Sequence, residues 1–115
     1  MLQDIEGNPV NRNPHQAEYD NWCNALAESD LVAMQQAIND YTDDRDELQA
    51  SFLPGKSPEI KALFPRLTAA CGGDEEQAGL FFGNIVWRVI YDRSENWRFT
   101  RTEGVEGMFY WCINR

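Results

Sequence analysis

Residues 74–91, DEEQAGLFFGNIVWRVIY, decide the fold that the sequence predicts. Asp74 followed three residues later by Gln77 is an N-cap signature, and the two glutamates between them suit the positive end of a helix dipole. Apolar side chains then recur at the 3.6-residue period of a helix and cover most of its circumference. They are Ala78, Phe81, Phe82, Ile85, Val86, Trp87, Val89, Ile90 and Tyr91. We therefore predict a central, buried helix on which only Asn84 and Arg88 face water.

A β-strand is the competing interpretation of residues 85–91. Most of these seven residues favour strands, and Gly83 would end the helix before them. The fold would then be α+β, with a three-stranded antiparallel meander formed by residues 85–91, 97–102 and 108–113. We favour the helix because the 3.6-residue period continues across the whole segment.

The amino-terminal residues predict an extended arm followed by a first helix. Residues 1–13 form the arm, since Asn-Pro pairs interrupt it twice. Asn13 is a good N-cap with Pro14 at the first helical position, and the helix that follows ends near Glu28. Residues 14–115 are enough for one globular domain and too few for two.

Two further helices are predicted between this segment and residue 74. The second helix begins after Ser29 or Asp30 and continues through Leu48 to residue 52, where Leu-Pro-Gly stops it. The third begins with a serine cap and a proline at 57–58, ends at a glycine pair, and is kinked or split by Pro65.

The carboxy-terminal residues predict a β-hairpin. Residues 97–102 alternate between apolar and polar side chains, two glycines supply a turn, and residues 108–113 are apolar and aromatic. The predicted fold class is therefore mainly α: about four helices, one of them central and buried, with a C-terminal β-hairpin. The aromatic segment could also support self-association through a strand edge.

The net charge of −9 lies entirely in the first half of the chain. Residues 1–50 contain 11 acidic and 2 basic side chains, whereas residues 51–115 contain 8 of each. Direct nucleic-acid binding is disfavoured, because phosphate contacts require lysine and arginine. The expected partner is instead a basic protein surface.

Carboxylates are most concentrated in residues 40–47, DYTDDRDE. On a continuous helix several of them share one face, and an opposing basic surface would relieve their mutual repulsion. The predicted partner-binding residues are Asp40, Asp43, Asp44, Asp46 and Glu47. A solvated helix face is the simpler interpretation. The run is not an EF-hand loop, because arginine and serine occupy the positions that require glycine and glutamate.

The predicted function is that of a small acidic cytoplasmic protein that binds a basic macromolecule, in an inhibitor, immunity-type or DNA-mimic role. The alternative is a small-molecule-binding domain with an aromatic-lined pocket formed by Arg45, Tyr41 and Trp87. Arg45 suggests it, because this charged residue falls within the apolar stripe of the predicted second helix. An enzyme is least favoured, since His15 is the single histidine and no matched nucleophile accompanies it.

The remaining expectations concern cysteines, cofactors and location. The cysteines, at 23, 71 and 112, form no CxxC pair, so we expect free thiols and a reducing, cytoplasmic compartment. No metal, cofactor or catalytic residue is predicted. The start of the chain does not resemble a signal peptide, and the most apolar stretch is too short for a membrane span.

Overall fold

The computed structural model describes residues 1–10 and 15–113. Within these residues the chain forms five α-helices, one short 3₁₀ turn and a four-stranded sheet. In chain order the elements are β1 (Leu2–Gln3), α1 (Gln16–Asn24), α2 (Glu28–Asp43), β2 (Glu47–Gln49), the 3₁₀ turn (Ala50–Phe52), α3 (Leu53–Lys56), α4 (Pro58–Ala70), α5 (Glu75–Asp92), β3 (Trp97–Arg101) and β4 (Met108–Cys112).

Helix α5 confirms the central helix predicted from residues 74–91. The Asp74 side chain accepts a hydrogen bond from the Gln77 backbone N–H at 3.1 Å, and the helix continues to Asp92. The strand alternative for residues 85–91 is therefore wrong. Ten residues of α5 are buried, so it supplies the centre of the hydrophobic core.

Asn84 and Arg88, which we expected to face water, are both buried. Asn84 donates to the Leu80 carbonyl at 2.8 Å, and Arg88 donates to the Asn84 carbonyl at 3.1 Å. The Arg88 guanidinium also lies 3.7 Å above the Tyr19 ring of α1. Because these groups are satisfied locally, the polar side of α5 can be covered by α1.

The second helix is much shorter than predicted. It ends at Asp43, and the predicted stop at residues 53–55 lies inside α3. Thr42 donates its hydroxyl to the Ile38 carbonyl at 2.7 Å, and no basic residue lies in the last turn to balance the aspartates there. Strand β4 offers residues 47–49 hydrogen bonds that a continued helix could not use. Leu48 is consequently buried in the sheet rather than on a helical stripe.

The predicted hairpin is present, but its strands end at Arg101 and Cys112, one residue earlier than predicted, and the alternative meander is wrong. Strands β3 and β4 pair antiparallel, with Phe99 opposite Tyr110. Strand β2 pairs antiparallel with the other side of β4, so the third strand is residues 47–49 and not residues 85–91. Strand β1 pairs parallel with β3, which gives the order β1-β3-β4-β2.

The helices pack on one face of this sheet. Leu2, Trp97 and Tyr110, on three different strands, point toward that face and are buried. Trp87 of α5 packs edge-on against Phe99, with ring centroids 4.7 Å apart. The opposite face carries a stacked aromatic pair, Phe109 and Trp111, whose ring centroids are 6.0 Å apart. The sheet therefore closes the core on one side only.

The residues near the amino terminus join this sheet. Leu2 is buried, and the terminal ammonium group donates to the carbonyls of Arg93 and Glu95 at 2.9 and 2.7 Å. The division of the chain into an arm and a domain stays a prediction. The predicted cap formed by Asn13 and Pro14 lies outside the described residues, and α1 begins after His15, whose φ is 52°.

Helix α4 confirms its predicted cap. Ser57 accepts from the Ile60 backbone N–H at 3.2 Å, and Pro58 follows at the first position. Pro65 does not split the helix, which continues to Ala70. Contacts of α4 with α2 and α5 cover the apolar side of the bundle, leaving two surface features that are candidates for function.

Candidate functional site

The first feature is the acidic segment, residues 40–47, which includes the carboxyl end of α2 and the start of β2. All five of the predicted partner-binding carboxylates are exposed; they are Asp40, Asp43, Asp44, Asp46 and Glu47. The unpaired carbonyls of a helix carboxyl end carry partial negative charge. The helix dipole therefore adds to the negative potential of the segment.

Arg93 holds the acidic segment against the end of α5. Its side chain is only 10% exposed and donates to Asp43 and to Glu95, both at 2.8 Å. It also donates to the Asn39 side chain at 2.8 Å. Burial lowers the pKa of Arg93, but the hydrogen bonds to Glu95 and Asp43 outweigh it and raise the pKa, so the charge is permanent.

Arg45 and Tyr41 lie together within the acidic segment. The Arg45 guanidinium is 4.0 Å from the Tyr41 ring centroid, and Arg45 is exposed. The apolar stripe on which Arg45 seemed anomalous does not exist, because α2 ends before this residue. The segment contains five carboxylates and one guanidinium group, that of Arg45, and Arg93 adds a second guanidinium from α5. The local charge therefore stays negative.

The third residue of the predicted ligand pocket, Trp87, is elsewhere. It lies on α5 and lines a groove of about 550 Å³ whose walls include neither Tyr41 nor Arg45. We call this the α5 groove: it lies between the middle of α5, residues 50–54 and the hairpin residues 107–108. The structure thus brings two of the three predicted ligand residues together and separates the third.

Two glycines form part of the floor of the α5 groove. A Cβ atom added at Gly79 or Gly83 would meet no heavy atom within 4 Å. Two glycines four residues apart often permit close helix packing, but no helix of the described residues packs against this pair. Glycine inside a helix costs about 1 kcal/mol relative to alanine. Both glycines accordingly weaken α5 without allowing any contact within the described residues.

Trp87 carries an unsatisfied donor. Only 7% of the residue is exposed. Among residues 1–10 and 15–113, its Nε1–H is the buried side-chain polar atom for which no hydrogen-bond partner is found. A buried donor without an acceptor costs about 1–3 kcal/mol. The atom itself is not accessible, so this cost belongs to the folded chain.

The α5 groove has an apolar floor and a mostly acidic rim. Phe82 and Tyr110 contribute buried rings, and burial raises the pKa of Tyr110, so its hydroxyl stays neutral. The exposed charged residues that line the groove are Glu75, Glu76, Glu106 and Arg101.

A second cavity of about 510 Å³ adjoins the first along α1. The two share His15, Leu80 and Asn84, and Leu80 is 57% exposed between them. Nucleophilic chemistry is not favoured at this end of the molecule. Burial raises the pKa of the Cys23 thiol, which keeps it protonated.

The described residues contain no cluster of three or more histidine, cysteine or acidic side chains suited to a metal ion. No helix in the same part of the chain has both the length and the apolar character needed to cross a bilayer. The thiols at positions 23, 71 and 112 are free. Comparisons with protein-family models, curated proteins and solved structures find no match for this chain.

The sequence pointed to the acidic segment but not to the α5 groove. A signal for the groove was present: Leu80 lies between Gly79 and Gly83, on the side of α5 opposite its densest apolar positions. Small residues around an exposed leucine are equally consistent with a shallow apolar surface and with close helix packing. Only the positions of the hairpin and of residues 50–54 distinguish the two.

Proposed function

We propose that this protein is a small cytoplasmic binding protein that recognises a basic surface of a partner protein through the acidic segment. Inhibition of the partner, immunity-type neutralisation and mimicry of DNA are the roles that fit such a surface. The free thiols support a reducing compartment.

One observation carries the proposal. Five exposed carboxylates surround the negative end of α2, where the helix dipole and their mutual repulsion both disfavour them. An opposing surface of lysine and arginine would reverse both effects. Such a field also accelerates association with a basic partner. The acceleration is larger at low salt concentration, where the field is screened less.

The test replaces Asp40, Asp44 and Glu47 with lysine and compares affinity capture from host extract with that of the wild type. Asp43 is retained because its bond to Arg93 is structural. Proteins captured by the wild type and identified by mass spectrometry should be lost with the triple variant. Their affinity should fall by at least about tenfold between 0.05 and 0.5 M NaCl.

The matched control replaces Glu6, Glu28 and Glu103 with lysine, which changes the net charge equally at exposed positions elsewhere. This control should capture the same proteins as the wild type. If the acidic-segment variant captures the same proteins as the wild type, the segment is ordinary solvated surface and the proposal is wrong. Equal loss with both variants would mean that total charge, and not this segment, governs binding.

Small-molecule binding is a second candidate, supported by the aromatic floor of the α5 groove. The volume of about 550 Å³ is within the range of ligand sites. Arg45 and Tyr41 lie outside this groove, so an anionic ligand would not find the predicted guanidinium there. A small aromatic probe, used below, tests this candidate directly.

A further inference from the structure

We infer that the α5 groove receives an apolar segment of the basic partner, flanked by lysine or arginine. The basic character of the partner rests on the proposed function. The site itself is formed by residues outside the acidic segment. Three independent features of the groove support the inference.

The first feature is the open floor at Gly79 and Gly83. Alanine at either position would strengthen α5, and its Cβ would meet no heavy atom of residues 1–10 and 15–113 within 4 Å apart from the adjoining backbone of α5. The absence of side chains leaves the helix backbone accessible along one side of Leu80. A chain segment lying across these positions can approach α5 closely and cover the exposed leucine.

The second feature is the apolar floor of the groove. Phe82, Leu80 and Trp87 line it, and Leu80 is 57% exposed. The Trp87 Nε1–H is buried, so an occupant covers part of the ring without reaching this donor. The apolar side chains of an extended peptide match this lining.

The third feature is the charge of the rim. Glu75, Glu76 and Glu106 line the groove with a single arginine, Arg101, among them. Positive side chains flanking an apolar centre therefore complement it, and negative ones would be repelled. Glu47 and Ala50 are three residues apart in the chain, so they are separated by no more than about 10 Å. One basic partner can thus contact the acidic segment and the groove together.

The test uses defined octapeptides, acetylated and amidated. The first probe has two lysines at each end and four leucine or phenylalanine residues between them. The second has glutamates in place of the lysines, and the third has serines in place of the apolar residues. Anilinonaphthalene sulfonate serves as the small aromatic probe. Binding is followed by fluorescence anisotropy and by the indole N–H signals of the ¹⁵N-labelled protein, with Trp87→Phe assigning that of Trp87.

The lysine-flanked apolar probe should bind at least about tenfold more tightly than the other two peptides. It should also move the Trp87 N–H signal, because Trp87 lines the groove that the probe covers. Gly83→Leu fills the groove and should weaken this binding at least about tenfold, whereas Gly55→Leu, at an open helical position outside the groove, should not. Thermal unfolding checks that both variants are folded.

Four results would overturn the inference: a stationary Trp87 signal, equal binding of the glutamate-flanked probe, equal binding to Gly83→Leu, or movement of the signal by the sulfonate dye but not by peptide. The lysine variant of the acidic segment should still bind the probe and move the Trp87 signal. The proposed function fails if that variant captures the same proteins as the wild type. Peptide binding to the groove does not enter that result, so the two proposals can fail separately.

Discussion

The carboxyl end of α2 and the middle of α5 both contain residues that weaken the helix to which they belong. In α2 these are carboxylates at the negative end of the dipole, and in α5 they are glycines whose missing side chains face open space. The interactions available to the two regions differ in range. Charge acts over about 10 Å and is screened by salt, whereas a groove acts only in contact and depends on shape.

The difference indicates how the two surfaces would divide the work of recognition. A field of carboxylates increases the rate of encounter with any basic surface but distinguishes poorly among them. A groove with an apolar floor and a mostly acidic rim distinguishes partners by shape and by the charges beside the apolar segment. If both regions are functional, removing their destabilising residues should strengthen the free protein. Substitutions of Gly79, Gly83 and Asp44 test that statement, whereas substitution of Arg93 tests the hydrogen bonds that secure the acidic segment.

Replacing Arg93 with methionine should give the largest change. The substitution keeps an apolar side chain but removes hydrogen bonds to Asn39, Asp43 and Glu95. We expect the free energy of unfolding in urea to fall by about 2–4 kcal/mol, because a largely buried guanidinium and its hydrogen bonds are lost, and the half-buried Asn39 and Glu95 lose this donor. Arg66→Met is the control: its 3.3 Å bridge to Asp30 is exposed at the arginine and should contribute below about 1 kcal/mol. Equal effects would contradict the structural role of Arg93.

Replacing Gly79 and Gly83 together with alanine should stabilise the protein by about 1–2 kcal/mol. The reason is the gain in helix propensity at positions where an added Cβ meets nothing. Urea unfolding measures the gain, and Gly7→Ala provides the opposite control. At Gly7 φ is +88° and a Cβ would lie 2.8 Å from the Arg98 side chain, so alanine should destabilise. Loss of stability in the double variant would show that the glycines serve the fold.

Replacing Asp44 with lysine should stabilise α2 by about 0.3–1 kcal/mol at low ionic strength, because a cation suits the carboxyl end of a helix. The gain should shrink in about 0.5 M NaCl as the interaction is screened. Glu28→Lys, at the positive end of the same helix, should have the opposite sign. A destabilising Asp44→Lys would show that Asp44 stabilises the free protein, and the comparison between the two regions would fail.

Local patterns determined the parts of this fold that each helix or hairpin can form from its own residues. Asp74 and Ser57 make their caps with residues three positions later, and the period of residues 78–91 shows which side of α5 is buried. The hairpin follows for the same reason, since its strands are adjacent in sequence. The concentration of carboxylates in residues 40–47 needs no coordinates either.

Tertiary contacts decided what depends on segments far apart in the chain. The spacing of Leu48 fits a helical stripe. It lies in the sheet instead, because the edge of β4, more than fifty residues away in the chain, offers hydrogen bonds to residues 47–49. Arg88 is charged and buried because the Tyr19 ring covers it. The α5 groove exists only because residues 50–54 and the hairpin approach Gly79, Gly83 and Trp87 without filling the space between them. Periodicity describes one element at a time and contains no information about such gaps.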